Sequence, residues 1–218
     1  MIRRRWRSIG LATLALIALA VWGVYAYLPY AGEVMASTAV LKFNAAAPAF
    51  KVAGADGKDH ALTDYLGKVV VLEWTSPICE FTVQKYQSGA IQAFQKAATD
   101  SGIVWLQISS AAPGTPSHLS ADGTKALIAK RGLAVTNILL DDSGAVGKAY
   151  TARATPTLAI IDTSGALRYY GAYDDAPWGD FGTAGRRYAE AALASLKAGK
   201  PVDPTRTSAY GCFIPYKS

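Results

Sequence analysis

The run from Lys68 to Phe81, Lys-Val-Val-Val-Leu-Glu-Trp-Thr-Ser-Pro-Ile-Cys-Glu-Phe, restricts the possible folds more than any other part of the chain. Val69 to Trp74 is too short for a typical helix, rich in β-branched residues, and apolar on both faces except at Glu73. Such a segment is a strand covered on both sides, as found inside a parallel or mixed sheet. The period then changes. Ser76 suits an N-cap and Pro77 the first helical position, where proline's missing N–H has no intrahelical partner to lose. On that register Cys79 falls at the third helical position, and Val83, Tyr86, Ala90, Ile91 and Phe94 recur at helical spacing up to the Asp100-Ser-Gly break. A thiol in a first helical turn lies near unpaired backbone N–H groups and the positive end of the helix dipole, and both favour the thiolate. A lone cysteine beside an apolar strand is also a common packing residue. Both readings stand at this point.

The remaining segments continue the alternation. Ile103–Ser109 is a second buried strand, Ala111–Asp122 a long loop, Thr124–Arg131 a helix ending at Gly132, Asn137–Leu140 a short strand, and Asp142–Tyr150 a small helix. Thr157–Asp162 and Ala166–Tyr173 are strands joined by a Thr163-Ser-Gly hairpin turn, and a last helix covers about Ala184–Lys197. The tail from Gly199 is irregular and ends in Tyr210-Gly-Cys-Phe-Ile-Pro-Tyr216. This order predicts an α/β fold with a central mixed sheet flanked by helices. A chain of 218 residues suits one well-filled domain with additions.

The start of the chain belongs to another class. Arg3, Arg4, Arg5 and Arg7 precede an uncharged run of 24 residues, Ile9–Gly32. A cleavable signal has an apolar region of roughly 7–15 residues and a spanning helix needs about 20, so length favours a retained single-pass anchor. Val34-Met35-Ala36 leaves cleavage, and hence secretion, open. Basic residues on the N-terminal flank keep that end in the cytoplasm and predict the rest on the extracytoplasmic, periplasmic side of the cell envelope. From Ala46 onward 17 basic face 15 acidic side chains, so the net charge of +6 carries no basic stripe for a nucleic acid. In an oxidising compartment the only two cysteines, Cys79 and Cys212, make one disulfide by arithmetic. As a purely structural bridge it would add about 5 kcal/mol in the chain-entropy model. His60 and His118 form no ligand cluster with Cys79, so neither a metal nor another cofactor is expected.

Several strings together resemble one family. Ala46-Ala-Pro-Ala-Phe50, the Asp56-Gly-Lys turn, Leu66-Gly-Lys-Val-Val-Val-Leu-Glu-Trp74, Cys79 at the following helix start, and Ala154-Thr-Pro-Thr-Leu-Ala-Ile-Ile-Asp162 are similar to the redoxin branch of the thioredoxin-fold superfamily, which holds the alkyl hydroperoxide reductase/thiol-specific antioxidant proteins. The resemblance implies a thioredoxin-like domain over 46–175, following an anchor over 1–32 and a tether over 33–45, with a C-terminal helix and tail over 176–218. It implies a thiol-dependent oxidoreductase or peroxiredoxin-like antioxidant, acting on a peroxide or a disulfide and recycled by a thiol reductant protein. It also implies a cis Thr155-Pro156 bond facing the active cysteine, with the preceding backbone free to pair with substrate. The chain departs from both branches of the family. Thioredoxin-like reductases carry Cys-x-x-Cys, and here Ser76 takes the first position of Ser76-Pro-Ile-Cys79. Peroxiredoxins carry Thr or Ser three before their cysteine, which Ser76 satisfies, but their upstream proline is Leu72 here, and Thr155-Pro156 stands where their later arginine belongs, with Arg153 out of register.

The expected roles follow. Cys79 is the nucleophile, Cys212 the internal candidate for resolution, Ser76 a hydrogen-bond donor to the thiolate or a simple cap, and Thr155 and Pro156 the substrate edge. Glu73 is either a proton acceptor made basic by burial or a carboxylate satisfied by a nearby Lys or Tyr. The rival from another class is an idle thioredoxin-fold binding module with a structural Cys79–Cys212 bridge.

Overall fold

The expected central strand forms over Val70–Trp74, and all five of its residues are buried. The computed structural model describes residues 40–217, so the Ile9–Gly32 segment and the membrane and compartment expectations drawn from it lie outside the described residues. No helix among the described residues is long and apolar enough to cross a membrane. In chain order the elements are β1 (Lys51–Ala53), β2 (Asp59–Ala61), β3 (Val70–Trp74), α1 (Glu80–Lys85), α2 (Ala90–Asp100), β4 (Val104–Ser109), α3 (Ala121–Arg131), β5 (Asn137–Leu140), α4 (Ala145–Ala149), β6 (Ala154–Thr155), β7 (Thr157–Ile161), β8 (Leu167–Gly171), α5 (Tyr188–Lys197) and β9 (Cys212–Phe213).

The main sheet has the order β5-β4-β3-β7-β8, with β3, β4 and β5 parallel and β7 and β8 antiparallel to their neighbours. This is the mixed sheet expected, in a thioredoxin-like arrangement. Side chains alternate across it because a strand has period two. Val70, Leu72 and Trp74 share one face with Leu106, Ile108 and Ala159, covered by Tyr150 and Ile214. Val71, Trp105, Ile138, Leu158 and Ile160 face the other way, covered by Ile91 and Ala98 of α2, Leu127 of α3, and Ala189 and Leu193 of α5. Glu73 lies on that second face, in register with Gln107.

Two expectations are corrected. The helix expected to continue from Cys79 to Asp100 is two helices, broken where Gly89 adopts φ +82°, a left-handed conformation that glycine holds without steric cost. Ser88 fixes the break, its hydroxyl donating to Asp180 Oδ1 at 2.6 Å. Leu41–Ala45, assigned to the tether, packs on the domain: Leu41 is buried, and Asn44 and Ala45 exchange backbone hydrogen bonds with Leu167. The tail is irregular as expected apart from the two-residue β9, and it packs along the domain. Thr205 and Thr207 bond the backbone of Tyr170 on β8, and β9 pairs with β6.

Candidate active site

The sequence places Cys79 correctly beside a helix start but not at the right turn of it. α1 begins at Glu80, and Cys79 is its N-cap, with φ −68° and ψ 118°. Ser76 does not cap the helix: its Oγ accepts the Ile78 N–H at 3.4 Å within a separate turn. Ser76 is buried, and no hydrogen bond joins it to Cys79 among the described residues. Arg131, the last residue of α3, explains why Pro77 and Ile78 stay outside the helix. Its Nη2 donates to the Ser76 carbonyl at 3.1 Å and to the Pro77 carbonyl at 2.9 Å, and its guanidinium lies over the Tyr86 ring at 5.4 Å. Burial pushes the Arg131 pKa down from its ordinary value.

The shifted helix start changes the motif register. A helix-start Cys-x-x-Cys would here read Cys79-Glu80-Phe81-Thr82 rather than Ser76-Pro-Ile-Cys79. Thr82 occupies the second position, fully buried and with no hydrogen-bond partner for its hydroxyl. No second sulfur comes from α1.

The tail supplies it. β9 runs antiparallel to β6, with Thr155 opposite Cys212 and Ala154 opposite Phe213, and the Ile214 N–H continues the pairing to the Arg153 carbonyl at 3.0 Å. Cys212 is disulfide-bonded to Cys79, with the two Cα atoms 5.8 Å apart. The Cys79 sulfur lies 3.1 Å from the Thr155 carbonyl oxygen and accepts the Cys212 N–H at 3.3 Å. The Thr155-Pro156 bond is cis, as the resemblance implied, but the backbone before it is not free for substrate: Ala154 and Thr155 pair with Phe213 and Cys212 of the tail. Gly211 makes the approach possible: it has φ +131°, and a Cβ there would stand 1.9 Å from the Thr155 carbonyl oxygen. Cys79 is 2% exposed, while Cys212 is only partly buried. Ile78 and Phe213, each next to one of the cysteines in the chain, are 56% and 86% exposed.

Glu73 is joined to four donors. Its carboxylate accepts the Tyr86 hydroxyl at 2.8 Å, Trp105 Nε1 at 2.8 Å, Gln107 Nε2 at 3.1 Å and Gln95 Nε2 at 3.2 Å. Burial, followed by the nearby Glu73 charge, pushes the Tyr86 pKa well above its ordinary value, so its hydroxyl remains a donor. Of the partners expected for Glu73, Tyr is present and Lys is not. No hydrogen bond joins Glu73 to Cys79; the contacts between them run through Tyr86, the Arg131 stacked on it, and the Ser76 and Pro77 carbonyls. The two histidines are engaged elsewhere: His60 bonds Asp56, whose carboxyl that contact holds down at about 2, and His118 bonds Asp142.

Sequence reasoning missed Arg131, Thr82 and the strand character of Cys212. Arg131 sits before the Gly132 C-cap, where a basic residue also serves the helix dipole, so nothing local marked it as a clamp. Thr82 was legible only once the helix start was placed at Glu80.

The AhpC/TSA family model matches residues 43–170, which leaves Cys212 and the rest of the tail outside the matched part. The crystal structure of a hypothetical protein from Sinorhizobium meliloti 1021 superimposes with a TM-score of 0.70 at 23% identity, covering 82% of this chain and 97% of that one. An uncharacterized conserved protein from Geobacillus kaustophilus gives 0.69 at 22% identity, covering 82% and 94%. The thioredoxin domain of a thiol-disulfide oxidoreductase from Bacteroides vulgatus gives 0.47 at 20% identity, covering 59% and 86%. No curated protein matches the chain.

Proposed function

Because the chain belongs to the AhpC/TSA family, we propose that it is a thiol-disulfide oxidoreductase whose working pair is Cys79 and Cys212. The observation that carries this reading is the β6–β9 pairing: a second sulfur is delivered by the tail, along the Thr155 backbone edge, to a helix-start cysteine whose own motif ends in Thr82.

In the oxidising direction the reduced Cys79 thiolate attacks one sulfur of a substrate disulfide, forms a mixed disulfide and releases the other substrate sulfur as thiolate. The Cys212 thiolate then attacks the Cys79 sulfur, closes the Cys79–Cys212 bond and releases the second substrate thiolate. Two electrons pass from the protein dithiol to the substrate. With hydrogen peroxide the first step instead gives a Cys79 sulfenic acid and hydroxide, and Cys212 condenses with it to release water. Recycling begins at the more accessible sulfur. A reductant thiolate attacks Cys212, Cys79 leaves as thiolate, and a second reductant thiol attacks the reductant's own sulfur in the mixed disulfide and frees Cys212. The Thr155 backbone edge is taken by the tail in the oxidised protein, so a partner chain lies along Thr155 and Pro156 only once β9 has left that edge. The reading includes an extracytoplasmic site of action, on a membrane anchor or after its cleavage. Support comes from the arginine cluster, the uncharged Ile9–Gly32 run and the pairing of both cysteines.

Monothiol variants test the proposal. Reduced Cys212→Ser protein mixed with glutathione disulfide should accumulate a stable mixed disulfide at Cys79, while the wild type proceeds to the internal bond. Cys79→Ser should react at least about tenfold more slowly, as expected of an unactivated thiol. A Cys79 that reacts with neither glutathione disulfide nor hydrogen peroxide contradicts the proposal and leaves the structural-bridge module in its place. Reaction with the disulfide alone assigns disulfide exchange over peroxidase chemistry.

A further inference from the structure

Two residues before Cys212 the tail inserts a tyrosine into a buried ion pair. Lys85 ends α1 and Asp174 follows β8, and neither side chain has exposed surface. Lys85 Nζ donates to Asp174 Oδ1 at 2.8 Å, to the Gly179 carbonyl at 2.7 Å and to the Ala176 carbonyl, so all three ammonium protons are engaged. The same Asp174 oxygen accepts the Ala176 N–H at 2.9 Å and the Tyr210 hydroxyl at 2.6 Å. The Tyr210 ring lies over the Lys85 ammonium, 5.3 Å to its centroid, and 6.2 Å from the ring of Phe81, itself packed on Trp178 at 4.0 Å. One end of α1 therefore carries Cys79 and the other a charged socket that receives the tail bearing Cys212. Packing alone does not call for charge here, since buried ion pairs are commonly replaceable by apolar residues without loss of stability.

We propose that the Lys85–Asp174 pair is the socket for Tyr210, and that seating this tyrosine sets the effective concentration of Cys212 at Cys79 and so the redox equilibrium of the pair. The inference rests on the reading of that pair as redox-active. Tyr210 touches no reacting atom; it is a positioning residue. Once the disulfide is reduced, the tail after Cys212 is held by the short β6–β9 ladder, by the Ala112 N–H on the Pro215 carbonyl and by the Tyr216 hydroxyl on the Ala152 carbonyl, and the tail just before Cys212 is held by Tyr210. By linkage, whatever the seated tyrosine contributes to closing the disulfide, the disulfide contributes to seating the tyrosine. Gly211 keeps the two steps in register, because any larger residue between Tyr210 and Cys212 would collide with Thr155.

The test is equilibration of the whole protein in glutathione redox buffers, with the oxidised fraction read by mass after alkylation. Tyr210→Phe keeps the ring and loses the hydroxyl that donates to Asp174. It should shift the equilibrium toward the dithiol about tenfold, or about 30 mV toward a less negative potential. Ser208→Ala, at an exposed tail position, should stay within roughly twofold of wild type on the same scale. In a Lys85→Met, Asp174→Leu background, where no acceptor is left, Tyr210→Phe should add little further, as two members of one contact must. Resolution of the Cys79 mixed disulfide by Cys212 should slow in parallel in Tyr210→Phe. A wild-type pair that glutathione reduces normally, with Tyr210→Phe indistinguishable from it, overturns the socket alone. A wild-type pair that no glutathione couple reduces overturns the redox reading beneath it.

Discussion

Replacing Glu73 with alanine is expected to lower the unfolding free energy by about 4 kcal/mol, because the buried Tyr86 hydroxyl and Trp105 indole N–H lose their acceptor and the Gln95 and Gln107 amides each lose one of two. Glu73 has no exposed surface, and four side chains, Tyr86 just after α1, Gln95 of α2, and Trp105 and Gln107 of β4, point hydrogens at it. Those donors have few alternatives. The Tyr86 oxygen already accepts Gln95 Nε2 and Gln107 Nε2, both at 2.8 Å, so its hydroxyl proton is directed to the carboxylate. Glu73→Gln keeps the shape but brings an amide NH2 among donors, and about half the alanine effect is expected. Urea unfolding measures both. Glu73→Ala within about 1 kcal/mol of wild type would show that the network contributes little beyond packing. A second consequence is chemical: the turn before Cys79 is held by Arg131, Arg131 rests on Tyr86, and Tyr86 is tied to Glu73. Exchange at Cys79 should therefore slow in Glu73→Ala protein that remains folded.

Asp174→Ala should destabilise the oxidised protein by about 3–5 kcal/mol, the range for leaving one partner of a buried ion pair alone. Lys85 would retain two carbonyl acceptors but lose its counter-charge, and Tyr210 would lose its acceptor. The double substitution Lys85→Met with Asp174→Leu removes both charges together and should recover most of that loss. Unfolding midpoints of the two variants decide the matter. A double variant no more stable than Asp174→Ala alone would mean that shape, and not charge, holds this corner. The double variant should still lack the tail socket, so stability and redox equilibrium should part company in it.

Much of the scaffold was visible in the residues. β3, β4 and β7 announce themselves by apolar, β-branched runs because both their faces are covered, and the Gly132 C-cap fixes the end of α3. The pairing of two cysteines followed from their number. The start of α1 was misplaced because Ser76-Pro77 satisfies every local rule for a helix entry, and only the distant Arg131 keeps that segment in a turn. The two-residue strand at Cys212 has no periodicity to detect; its pairing with Thr155 depends on Gly211, and that need shows only when the two backbones are seen together. Lys85 and Asp174 are 89 residues apart, and nothing in either neighbourhood distinguishes them from surface charges. Glu73 was conspicuous as a charge within an apolar strand. Its four donors were not legible, because they depend on the register that sets it beside Gln107 and beneath α2.

The account stands on the Cys79–Cys212 bond being one that opens and closes in the folded protein. Stepwise equilibration with thiol couples, with the fold followed by circular dichroism and the cysteines by alkylation, measures this directly. The predicted result is full, reversible reduction at a potential less negative than about −300 mV, with the spectrum of the native fold retained throughout. A bond that resists every couple until the protein is unfolded would make it a staple, and would contradict the account.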